Sequence, residues 1–159
     1  MTMYVSHVKW QKCLDYHFYQ SGVATTSIFE LVHIDIWGPY RVSTHKNCRF
    51  FLTLVDDFSR ATWTYLLQCK SQAFTILKQF YAYIHTQFST HFKAVWSDKA
   101  LEFTEGSCKE FFADKGIVHQ RSCVDRPQQN GIVERKHRHI CEIARALRFQ
   151  EALPIHFLG

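Results

Sequence analysis

The sequence predicts an α/β domain, a mixed five-stranded sheet with helices on both faces, and three observations lead there. Three strand-like runs fall between residues 30 and 67, the first with apolar residues at period two, the period changes to three and four residues at Ser71, and short strand-like runs then alternate with helical ones. The composition agrees: 159 residues, 47% hydrophobic, with only 6 Gly and 3 Pro, describe one globular domain and exclude a linker, a collagen-like chain or a disordered tail.

The first 29 residues carry no clear period and read as an extension ahead of a domain spanning 30–159. Residues 30–37 (ELVHIDIW) alternate, with Val32, Ile34 and Ile36 on one face and Leu31, His33, Asp35 and Trp37 on the other, and Gly38-Pro39 stops the strand. Residues 50–55 (FFLTLV) are apolar on both faces, as a central strand requires, and 61–67 (ATWTYLL) are rich in β-formers. The intervening Asp56-Asp57-Phe58-Ser59-Arg60 reads as a turn rather than as a pair of metal ligands.

From Ser71, a candidate N-cap, the residues Phe74, Leu77, Tyr81, Ile84 and Phe88 mark one stripe of a helix. A short strand over 92–97 follows, and a strand after such a helix suggests a crossover to a parallel neighbour. Ser107 to Glu110 fits a capping box for a short helix ended by Gly116, residues 117–120 give a last short strand, and 129–150 a long helix introduced by Pro127 and Asn130-Gly131. The aromatic residues Phe50, Phe51, Trp63, Phe74, Phe80, Tyr81, Phe111 and Phe112 are expected in the core.

Lys and Arg outnumber Asp and Glu by 19 to 14, and residues 121–150 alone hold seven basic and three acidic side chains, +4 of the +5 net charge. Such a segment suits a phosphate-bearing partner, although a solvated helix face would show the same excess. Six cysteines with no C-x-x-C pair indicate neither a zinc knuckle nor a disulfide framework. The N-terminus lacks a signal-peptide pattern and no apolar run reaches the length of a membrane span, so a reducing compartment, nucleus or cytoplasm, is expected, with no membrane partner.

Asp35 interrupts an apolar strand, Asp98 closes another, and Glu134 lies in the first turns of the last helix. Isolated buried carboxylates are costly unless a cation meets them. If the two strands are neighbours and the helix crosses their ends, the three converge, and three hard oxygen donors suit Mg²⁺ or Mn²⁺ better than zinc. Ions so held support phosphoryl transfer, although scattered carboxylates occur in any chain of this size.

The runs ELVHIDIWGPY, FLTLVDDFSRATWTYLL, WSDKALEF and HQRSCVDRPQQNGIVERKHRHICEIARAL resemble the integrase catalytic core of copia-type LTR retrotransposons, within the retroviral integrase and transposase group. The family's two aspartates and its glutamate in P-Q-Q-N-G-x-V-E-R match Asp35, Asp98 and Glu134, with 35 residues (99–133) between the last two. The resemblance covers about 130 residues from Glu30 onward. It implies a ribonuclease-H-like fold, divalent-metal-dependent trimming of DNA ends, and attack of the freed 3′-hydroxyl on target DNA. Asp35, Asp98 and Glu134 would then be at once the catalytic residues and the metal ligands, DNA the partner, and a homo-oligomer an option.

On a helical projection Glu134, Arg138, Cys141 and Arg145 share one arc, and Val133, Ile140, Ala144 and Leu147 the opposite one. Arg138 and Arg145 are therefore candidate phosphate contacts, while Lys136 projects nearer the apolar arc. Gln128 and Asn130 would touch DNA sugar or bases, or serve as loop and cap residues. His137 and His139 point about 200° apart and cannot share an ion. His7, Cys13 and His17 lie where the family carries a zinc module, but the second Cys is missing, so no zinc domain is expected.

Two features depart from the family pattern. Lys99-Ala100 replace Asn-Gly after Asp98, which places an ammonium beside a carboxylate and predicts weak metal binding. The family continues beyond the equivalent of Gly159, so a truncated or degenerate copy is expected. The alternative to an active enzyme is a non-catalytic DNA-binding or interaction domain that keeps the fold.

Overall fold

The computed structural model describes residues 25–98, 101–104, 106–121 and 131–151. Five strands form one sheet: β1 (Leu31–Trp37), β2 (Phe50–Asp56), β3 (Thr62–Leu67), β4 (Ala94–Ser97) and β5 (Val118–Arg121). Among the described residues four helices accompany them: α1 (Gln72–Phe88), α2 (Leu101–Thr104), α3 (Gly106–Asp114) and α4 (Gly131–Gln150). The strand order is β3-β2-β1-β4-β5, with β1–β2 and β2–β3 antiparallel and β1–β4 and β4–β5 parallel. The mixed five-stranded sheet expected from the sequence is thus present, and β4 is the parallel neighbour of β1.

Strand alternation divides the apolar residues between two layers. Val32 and Ile34 of β1, Leu52 and Leu54 of β2 and Val95 of β4 are fully buried against Leu77, Phe80 and Ile84 of α1 and Phe103 and Phe112 of α2 and α3. Each such side chain contributes roughly 1.5–3 kcal/mol by leaving water. The opposite face receives α4, which contacts β1 and β2 and buries Val133 and His137. The buried stripe of α1 is Ala73, Leu77, Phe80 and Ile84: Leu77 and Ile84 are as expected, Ala73 and Phe80 take the places of Phe74 and Tyr81, which flank the stripe half-buried, and Phe88 is 43% exposed.

The local signals hold with three corrections. Ser71 is α-helical and makes no side-chain cap; Gln72 Oε1 instead accepts the Gln68 amide at 2.8 Å. Ser107 lies inside α3, which begins at Gly106, and the short α2 ahead of it carries no clear sequence signal. Phe51 is not in the aromatic core but on the α4 face, with its ring edge on His137, centroids 5.0 Å apart. Gly116, with φ +66°, ends α3 as expected, and the Ile117 amide bonds back to Phe112 O at 2.8 Å. Gly38 is required sterically: at φ +130° an added Cβ would stand 2.6 Å from Arg49 O. Phe29, just ahead of the expected domain boundary, is buried in the core with its amide bonded to Asp56 Oδ1 at 2.8 Å.

The Asp56–Arg60 segment is a turn, built on its carboxylates. Asp56, fully buried, also accepts the Ser59 amide and hydroxyl at 2.8 and 2.6 Å. Asp57 accepts from Thr25 and Arg60 and pairs with His33 Nε2 at 3.1 Å. His7, Cys13, His17, Lys99, Ala100, Cys123, Pro127, Gln128 and Asn130 lie outside the described residues. Cys48, Cys69, Cys108 and Cys141 are free thiols.

Candidate active site

Ser97 pairs with Ile34 in the parallel β1–β4 ladder, so the next residue along each strand sets Asp98 alongside Asp35. Glu134 enters from the first turn of α4, which crosses β1 and β2. Asp35 is the least exposed of the three, half-buried, with Oδ1 accepting the Ile36 amide at 2.9 Å. Its carboxyl is pushed up to about 6, first by burial and then by the negative charges of Asp98 and Glu134, against the lowering effect of the Ile36 amide. Asp35 therefore lies within the field of both other carboxylates.

They do not close on a single point. Among the described residues no three His, Cys, Asp or Glu side chains stand close enough to share one ion. Glu134 is exposed at the helix edge and Asp98 at the strand end. The donor set nevertheless fits a hard divalent cation: all three are carboxylates, and their mutual repulsion at Asp35 is what a cation would relieve.

His137 completes the site and was missed by sequence reasoning. Its Nδ1 lies 3.4 Å from Asp35 Oδ2, longer than a standard hydrogen bond, and its Nε2 is buried without a partner. Burial pushes the imidazole down to about 4, so it is neutral at pH 7 and the contact is not an ion pair. The available signal was its i+3 spacing from Glu134, which puts both on adjacent arcs of α4. Arg138 and Arg145 are exposed on that helix and Lys136 is half-buried, as projected. Leu147, expected to pack, is 54% exposed because it lies beyond the part of α4 that packs on the sheet.

Residues 26–127 match the family model described as Integrase core domain. The chain belongs to the integrase core domain family. This integrase core is 32% identical over 142 residues to the "Retrovirus-related Pol polyprotein from transposon TNT 1-94" of Nicotiana tabacum, covering 89% of the chain and 11% of that protein. It is 34% identical over 137 residues to the "Retrovirus-related Pol polyprotein from transposon RE1" of Arabidopsis thaliana, covering 86% of the chain and 9% of that protein. The integrase core thus spans about a tenth of the length of these relatives. In fold it is similar to a chain of the cryoEM structure of the simian T-cell lymphotropic virus intasome in complex with PP2A regulatory subunit B56 gamma. The TM-score is 0.63 at 16% identity, over 81% of this chain and 45% of that one, and supports the ribonuclease-H-like architecture. No helix among the described residues is long and apolar enough to cross a membrane.

Proposed function

We propose that this domain is the catalytic core of a DNA-joining enzyme, in which Asp35, Asp98 and Glu134 hold Mg²⁺ or Mn²⁺ and direct phosphoryl transfer to a 3′-hydroxyl of DNA. The observation that carries the reading is the register that sets Asp98 at a strand end beside the half-buried Asp35, with Glu134 on the first turn of the helix that crosses β1 and β2. Divalent ions at these carboxylates would lower the pKa of the attacking hydroxyl and offset charge on the leaving oxygen. Asp35, fixed by the Ile36 amide and flanked by His137, is the rigid member of the set. Glu134 is carried on α4, so seating that helix brings the third carboxylate in. Arg138 and Arg145, exposed on the same helix, contact phosphates; Gln128 and Asn130 precede it and are proposed to touch sugar or base. Two similar proteins being Pol polyproteins, and the structural neighbour an intasome, support DNA as partner and assembly of several copies on it.

The test is incubation of the chain with a labelled DNA duplex and Mn²⁺, followed by separation of products by size. Products longer than the substrate, formed by the wild type and not by Asp35→Asn, support the reading. A second reading, a DNA-binding domain without catalysis, is favoured by the open spacing of the carboxylates. DNA binding with no Mn²⁺-dependent product would establish it instead.

A further inference from the structure

On the face of the sheet that carries Asp35, a groove of about 190 Å³ opens between α4 and strands β1 to β3. Trp37 and Phe51 form its wall, ring centroids 5.3 Å apart, with Tyr40 5.4 Å from Trp37. Leu66, paired with Phe51 across β2 and β3, continues this wall and is 62% exposed, and Trp37 is 37% exposed, so a large apolar surface faces solvent. Arg49 and Arg145, both exposed, line the same groove.

We infer that this groove takes one unstacked nucleobase of the DNA strand whose phosphate lies at the carboxylates, an inference that rests on the proposed function. Position is the first argument. Trp37 follows Asp35 by two residues on the same face of β1, roughly 6.5–7 Å along the strand. Phe51 touches His137, which touches Asp35, so groove and carboxylates share a wall. Chemistry is the second. An exposed indole beside further rings offers a π-face on which any base can stack, and guanidinium groups supply the charge for the phosphates that flank it. An apolar side chain of a protein partner would use the rings but leave Arg49 and Arg145 unmatched.

The test uses the full chain and a labelled DNA duplex with a single-stranded 3′ end, in which one abasic nucleotide is moved along that end. Wild type is expected to lose about tenfold in affinity when the abasic nucleotide occupies one or two adjacent positions, and little elsewhere. Trp37→Leu should bind intact DNA about tenfold more weakly and lose nothing further at that abasic position, because both changes remove one contact. Ala144→Phe, which fills the groove from the helix side, should do the same; thermal unfolding shows whether each variant is folded. The inference is overturned if folded Trp37→Leu and Ala144→Phe bind as wild type does, as expected of a groove that holds a protein segment, or if every abasic position matters equally. A wild type that binds DNA but ignores the missing base sinks this inference alone, whereas one that binds no DNA sinks the proposed function with it.

Discussion

His137 Nδ1 stands 3.4 Å from Asp35 Oδ2, joining the helix that carries Glu134 to the strand that carries Asp35. The imidazole is neutral and largely buried, and its far nitrogen has no partner, so it holds the carboxylate by position rather than by charge. His137→Leu should keep the fold, because it removes an unpartnered polar atom, yet raise the Mn²⁺ concentration needed for half-saturation about tenfold, as loss of an outer-sphere partner does. His137→Asn, which keeps a donor near Asp35, should recover most of the affinity. Titration of free Mn²⁺ by electron paramagnetic resonance measures both; equal affinities in wild type and the Leu variant would refute the positioning role.

Thr53 lies beside Asp35 in the β1–β2 ladder, fully buried, with its hydroxyl unpartnered. Thr53→Val keeps the shape and removes the unsatisfied group, so the variant should be more stable by about 1 kcal/mol. Chemical denaturation should show a higher midpoint at unchanged slope. A lower midpoint would mean that the hydroxyl has a function in holding the strand.

Asp57 is held down to about 2, first by the His33 hydrogen bond and then by Thr25 and Arg60, against the opposing effect of burial. A carboxylate with a depressed folded-state pKa stabilises above its unfolded value of 3.8, and that stabilisation is lost as pH falls from there towards 2. Asp57→Asn should therefore be less stable than wild type at pH 6, with the difference shrinking towards pH 2 in thermal unfolding scans. A difference independent of pH would place the effect in packing alone.

Arg138→Gln and Arg145→Gln should each reduce the slope of log affinity against log salt by about 1 on duplex DNA, with affinity lowered uniformly across sequences. Lys136→Gln, at a half-buried position, should leave the slope unchanged. Anisotropy titrations at several salt concentrations distinguish these outcomes.

Strand alternation and the change of period at Ser71 carried most of the fold, because each element buries one face and the pattern records it. A helix ahead of β4 signalled a parallel neighbour, but that this neighbour is β1, with Asp98 beside Asp35, rests on pairing between strands far apart in sequence and had no local signal. His137 projects about 40° from Val133, within the apolar arc of α4, so its burial was legible; that it stops beside Asp35 depends on the angle at which α4 docks, which a projection does not give. Phe51 sits in a strand apolar on both sides, so alternation alone could not assign it to the α4 face. The His33–Asp57 pair joins residues 24 apart and leaves no local signal. Capping failed for a different reason: the turn continues back past Ser71, with the Gln72 and Ala73 amides bonded to Cys69 O and Lys70 O, so the Ala73 amide that a Ser71 cap would accept is already taken.

The central claim is that the three carboxylates form a cation site, and the thermal stability of Asp35→Asn against wild type tests it most directly. Without divalent ions the variant should unfold at a higher temperature, since the desolvation cost of a half-buried carboxylate, and with it the repulsion from Asp98 and Glu134, is removed. With saturating Mn²⁺ the order should reverse, wild type rising and the variant staying where it was. A wild type indifferent to Mn²⁺, or a variant that gains as much from it, would contradict the claim.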